Sequence, residues 1–167
     1  AILGERMILK EDSTEQKLRG AYYTPLKLAE KMVDFFKKDA SIKSILEPSC
    51  GDGVFVDALV ETQFLTQNRK VTAIEIEKNE AQKVAEKLKN NPNVSVVNRD
   101  FFEFYQKYKD INKYDMILGN PPYIRYQYLE EKQRMEMAEI LTSHGMKANK
   151  LINTWVGFMV ACVHMLS

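Results

Sequence analysis

Apolar positions along the chain fall into short runs that alternate with helical stripes. The runs at residues 44–48, 71–76, 94–99 and 114–119 are rich in Val, Ile and Leu and end on acidic or turn-forming residues, which predicts four buried strands. Between them the spacing shifts to a period near 3.6. Leu28, Met32, Val33 and Phe36 predict a helix with Thr24 as its N-cap and Pro25 at its first helical position. Phe55, Ala58 and Leu59 share one face of a second helix. Ala81, Val84, Ala85 and Leu88 line the inner face of a third at 79–90, which Asn90, Asn91 and Pro92 stop. Residues 106–112 read as a polar connector or a helical one. The mixed charges at 129–141 predict an amphipathic helix with a solvated face, followed by a polar loop at 143–150. Phe158, Cys162, Val163 and Leu166 predict a buried helix at 153–166. Strands alternating with helices predict an α/β fold, a mostly parallel sheet with helices on both faces.

Composition narrows the class. A chain of 167 residues, 45% of them apolar, is the size of one domain with a real core. Residues 1–19 are polar and charged and read as an N-terminal arm, leaving 20–167 as the domain. A net charge of +1 gives no global electrostatic footprint for nucleic acid. Cys50 and Cys162 are far apart, and His144 and His164 lack partners at ligand spacing, so neither a disulfide framework nor a metal site is indicated and a reducing cytoplasm is the default. The longest apolar stretch is too short to span a bilayer, and the start shows no secretory signal.

The chemistry concentrates at the strand ends. Asn120-Pro121-Pro122-Tyr123 follows the fourth strand. The Asn120 side-chain carbonyl and the Pro121 backbone carbonyl are two acceptors at fixed positions, and Tyr123 offers a flat face. That set suits a planar base gripped by its exocyclic amine. A proline-stiffened strand exit with a surface tyrosine is the structural alternative. After the first strand, Glu47, Pro48, Ser49, Cys50, Gly51, Asp52 and Gly53 form a Gly-x-Gly loop opening a helix, the start of a nucleotide-binding βαβ unit. No Gly-Lys-Ser/Thr follows, which excludes a P-loop, and Val56 stands where a dinucleotide fingerprint has its third glycine. Glu75, ending the second strand, sits where a carboxylate accepts ribose hydroxyls. Asp100 and Phe101, ending the third, can accept from an amine and pack on a base, though Phe101 and Phe102 also suit the core.

The order of these stretches resembles the S-adenosylmethionine-dependent DNA adenine-N6 methyltransferases of restriction–modification systems. Residues 20–25 are similar to that family's motif X, 46–55 to motif I, Glu75 to motif II, Asp100 and Phe101 to motif III, 120–123 to motif IV and 153–166 to the motif V helix. The resemblance covers nearly all of the chain from Gly20. It implies a Rossmann-like class I methyltransferase fold, truncated before the later strands and the target-recognition domain, and hence the front part of a longer enzyme, inactive alone. It implies S-adenosylmethionine as cofactor. Thr24, with Glu47, Pro48, Ser49, Cys50, Gly51 and Gly53, would surround its methionine part, and Tyr22 would also bind the cofactor. Glu75 would hold the ribose, Ile76 and Phe101 the adenine face, and Asp100 the cofactor's own amine. Asn120 and Pro122 would also contact the cofactor. Asn120, Pro121 and Tyr123 would act on an adenine flipped out of duplex DNA. The cut sheet is expected to leave a bare edge open to self-association. Two alternatives accompany this reading: a methyltransferase for a protein glutamine or an RNA base using the same loop, and a cofactor-binding piece without catalysis.

Overall fold

The computed structural model describes residues 24–66, 68–149 and 151–167. The predicted arm at 1–19 and Tyr22 lie outside the described residues. The strands form where expected, three of them shorter and β2 shifted by one residue: β1 Ser44–Glu47, β2 Lys70–Glu75, β3 Val94–Asn98 and β4 Met116–Ile117. They make a four-stranded sheet in the order β3-β2-β1-β4, every pair parallel. The helices are α1 Leu26–Phe36, α2 Val54–Glu61, α3 Lys78–Lys87, α4 Phe101–Tyr108, α5 Glu131–Ser143 and α6 Thr154–Met165, with a short 3-10 turn at Tyr126–Tyr128.

Side chains alternate across the sheet with the period of two that a pleated strand imposes. Ile45, Val71 and Ala73 join Ala29 and Val33 of α1, Phe55 and Leu59 of α2 and Val84 of α3 in one core. Leu46 and Ile74 point the other way, into a core built by Phe101, Phe102, Met137, Ile140, Phe158 and Met165 from α4, α5 and α6. Both faces are therefore covered, as parallel sheets require. Phe101 and Phe102 are both core residues, each ring close to Phe158 at centroid distances of 4.8 and 5.1 Å.

Several expectations are corrected. Thr24 does not cap α1. Pro25 is the flanking residue, with an extended ψ of 136°, and its carbonyl accepts the first helical bonds from Leu28 and Ala29 at 3.0 and 3.1 Å. The buried stripe of α1 is Ala29 and Val33, while Leu28, Met32 and Phe36 are exposed. On α3, Ala85 faces solvent. The helical alternative for 106–112 holds for residues 106–108, inside α4, which Asp100 caps by accepting from the Phe102 and Glu103 N–H groups. Within α6, Phe158 is buried but Val163 and Leu166 are exposed, in one outward stripe with Trp155 and Met159. Gly157 lets that helix sit close: a Cβ there would come within 3.0 Å of Met137 Cγ and Phe102 Cζ. Among the described residues, one isolated bridge covers the outer edge just before β4. Tyr114 N–H donates to the Met165 carbonyl and Ser167 N–H donates to the Tyr114 carbonyl, a parallel bridge that lays the end of the chain beside β4.

Arg69, 1% exposed, holds the near end of the sheet together. Its guanidinium donates to the carbonyls of Lys37, Asp39, Ile42 and Phe64 and stacks 4.2 Å from the Phe64 ring centroid. The chain leaving α1 is thereby tied to the starts of β1 and β2.

Candidate active site

The chemistry collects at the C-terminal ends of the strands, where an open parallel sheet offers its crevice. After β1 the chain turns through Gly51, at φ +53°, and Gly53, at φ +85° and the N-cap of α2. A Cβ on Gly53 would press to 3.2 Å from Val84, so this glycine also lets α2 and α3 approach. Glu75 at the end of β2 pins the loop: Gly51 N–H donates to its Oε2 at 2.8 Å and Glu77 N–H to its Oε1 at 2.9 Å. Asn98 fixes the same strand end from β3 by donating to the Glu75 and Ile76 carbonyls.

The loop after β4 is braced from behind. The ladder to β1 ends where Leu118 N–H donates to the Leu46 carbonyl, and the two prolines that follow at 121 and 122 have no N–H with which to resume it. The Thr154 hydroxyl, at the start of α6, donates to the Pro122 carbonyl at 2.7 Å and accepts from Ile124 N–H at 3.0 Å. Thr154 N–H in turn donates to the Ile124 carbonyl at 2.7 Å. Gly119 packs directly on Glu47, and a Cβ at 119 would fall 2.4 Å from Glu47 Oε1.

These ends enclose a cavity of about 460 Å³. Thr24, Glu47, Pro48, Ser49, Cys50, Gly51, Glu75, Ile76, Asp100, Phe101, Asn120 and Pro122 all line it. Gly53, Pro121 and Tyr123 lie off the lining, and the Tyr123 ring is exposed. Sequence reasoning missed Tyr128, Leu129, Gln133, Thr154 and Phe158, which line the cavity from the turn, α5 and α6. The Asn-Thr pair at 153–154 carried a readable cap signal, and Asn153 does accept from Trp155 N–H, but nothing local marked Gln133.

The charged groups of the lining are mostly carboxylates. Glu47, Asp52, Glu75, Glu77, Glu80, Asp100 and Glu130 face Arg99, the only cation among the described lining residues. Glu47 is 1% exposed and accepts from Ser49 N–H at 2.8 Å. Burial pushes its carboxyl up to about 8 against the lowering effect of that bond, and Glu75 and Asp52 push the same way. Glu75 is also raised, chiefly by burial, despite its two backbone donors. The Cys50 thiol is driven far up by burial and is inert as a nucleophile. Asp100 spends Oδ1 on the α4 cap, while Gln133 Nε2 donates to its Oδ2 at 2.6 Å.

A model of the Eco57I restriction-modification methylase family matches residues 8–167. The chain belongs to this family. It is 29% identical over 164 residues to the type II methyltransferase M.AccI of Acinetobacter calcoaceticus, covering 98% of this chain and 29% of that protein. It is 31% identical over 128 residues to M.HincII of Haemophilus influenzae, covering 77% of this chain and 22% of the relative. The chain thus spans less than a third of the length of either. Among solved structures, the methyltransferase subunit of a type I restriction-modification system from Streptococcus thermophilus superposes with a TM-score of 0.65 at 15% identity, covering 95% of this chain and 35% of that one. The fold is the Rossmann-like α/β fold of class I methyltransferases.

Family and fold together indicate S-adenosylmethionine as the cofactor. The donor set fits it. A cavity rich in carboxylates suits a ligand that carries a sulfonium, an ammonium and ribose hydroxyls. Each Glu75 oxygen holds one backbone N–H, and a carboxylate has about four acceptor sites, so capacity remains for hydroxyls. Among the described residues no group of His, Cys, Asp and Glu could hold a metal ion, and no helix is long and apolar enough to cross a membrane.

Proposed function

We propose that this chain is the cofactor-binding and catalytic part of a site-specific DNA adenine-N6 methyltransferase of a restriction–modification system. The observation that carries the reading is the convergence of Gly51, Glu75, Asp100 and Asn120, each from a different strand end, on one cavity. The cofactor supplies an electrophilic methyl group on a sulfonium, and everything else falls to the residues. The Gly51 loop and Glu47 surround the methionine part, Glu75 takes the ribose hydroxyls, and Ile76 and Phe101 flank the adenine.

An adenine amine is a weak nucleophile because its lone pair is delocalised into the ring. Asn120 and the Pro121 carbonyl would accept its two hydrogens and draw the nitrogen toward a localised lone pair. That is catalysis by position and electrostatics. The target base leaves the duplex at a cost of a few kcal/mol. The exposed Tyr123 ring offsets part of that by stacking, worth ~1–3 kcal/mol. Thr154 holds the acceptor loop in register through Pro122 and Ile124.

The test is methyl transfer to unmethylated duplex DNA by an enzyme spanning the full length of the relatives, with RNA and release-factor protein as competing substrates. Asn120→Ala should keep cofactor binding and lose transfer. Unchanged turnover in that variant, or transfer to RNA or protein in preference to DNA, contradicts the reading.

A further inference from the structure

We propose that Gln133 is a further cofactor-recognising residue, its side-chain amide sharing with Asp100 the task of reading the amine of the cofactor's adenine. The inference rests on the cavity being an S-adenosylmethionine site. It adds a residue from α5, an element outside the strand ends that carry the rest of the site.

An exocyclic amine has two hydrogens, and a site that reads it fully needs two acceptors. Asp100 has only part of its capacity to offer. Its Oδ1 receives the N–H groups of Phe102 and Glu103 at 2.7 and 3.3 Å, so the Oδ2 side is the one left for a ligand. Gln133 Nε2 donates to that Oδ2 at 2.6 Å, a short contact of the charge-assisted kind. An ionised carboxylate is an acceptor only, so the amide must turn its nitrogen to Asp100. Its carbonyl Oε1 is then directed away from Asp100, on a side chain that lines the cavity. One contact therefore fixes both groups. Asp100 Oδ2 is aimed by Gln133, and Gln133 Oε1 is left as a second acceptor beside it.

This arrangement recognises an amine and rejects an oxo group. An adenine amine donates one hydrogen to Asp100 Oδ2 and the other to Gln133 Oε1. A 6-oxo purine has no hydrogen to give there and sets its oxygen against two acceptors. Sites built around a specific hydrogen bond discriminate strongly against analogues that lack it.

The experiment is calorimetric titration of the 167-residue chain with S-adenosylhomocysteine and with its 6-oxo counterpart, S-inosylhomocysteine. The wild type should prefer the adenosyl ligand by on the order of 100-fold. Gln133→Leu should weaken the adenosyl ligand by about 10-fold, one good hydrogen bond, and leave the inosyl ligand unchanged or improved. Gln133→Met, which keeps the length of the side chain, should behave the same way and serves if the Leu variant does not fold. An adenosyl-to-inosyl preference that stays at the wild-type ratio in the variant, as equal weakening of both ligands by a merely structural role would give, overturns the inference while leaving the cofactor site intact. Failure of the wild type to bind either ligand overturns the reading of the cavity itself.

Discussion

Glu47→Gln isolates a carboxylate that the fold keeps out of water. The group is buried, accepts from Ser49 N–H, and packs against Gly119 with no room for a side chain there. Its folded value of about 8 stands against an ordinary carboxylate value of 4.5. Below pH 4.5 the group is protonated in both states and contributes nothing to the pH dependence. Between 4.5 and 8 the unfolded chain releases the proton and the folded chain keeps it, so stability falls as pH rises. Above 8 both states are ionised and the penalty is constant. Integrated over that window the loss is on the order of 5 kcal/mol. Gln is nearly isosteric and does not titrate. In urea denaturation of wild type and variant at pH 6 and pH 9, the variant should gain on the wild type by roughly 3 kcal/mol between the two conditions. A gap between the two proteins that is the same at both pH values would refute the buried-carboxyl account.

Arg69→Met leaves four inward carbonyls without their donor and should destabilise the fold by on the order of 3 kcal/mol, read from the urea midpoint; a shift within error means that water replaces the guanidinium. Thr154→Val keeps the shape but strands the Pro122 carbonyl and Ile124 N–H, so a loss of about 2 kcal/mol is expected. In an enzyme of the relatives' length the same change should lower kcat with little effect on cofactor Kd, and a change confined to cofactor Kd would argue against the brace.

Much of the site was legible because its polar residues stand at the ends of apolar runs. Glu47, Glu75, Asp100 and Asn120 each follow or close a strand, and a parallel sheet brings such ends together whatever the loops do. What the sequence hid lies where one residue type serves two roles. A proline before a helix reads alike as first helical residue or as flank, and its ψ decided for the flank. In α1 the larger Leu28, Met32 and Phe36 outweigh Ala29 in any apolar count, yet the small residue packs inward. In α6 the chain is apolar almost all round, so periodicity could not tell the Phe158 face from the Trp155 face. Arg69 and Gln133 carried no signal, because their partners are backbone carbonyls and a carboxylate distant in sequence.

The most direct measurement is a calorimetric titration of S-adenosylmethionine into the wild-type chain and into Glu75→Ala. Loss of this carboxylate removes the anchor of the Gly51 loop and, on the proposed reading, the ribose acceptors. Saturable one-to-one binding by the wild type, weakened about 10-fold or more in the variant, is the predicted result. Absence of binding, or binding indifferent to Glu75, would contradict the claim that the strand ends form the cofactor site.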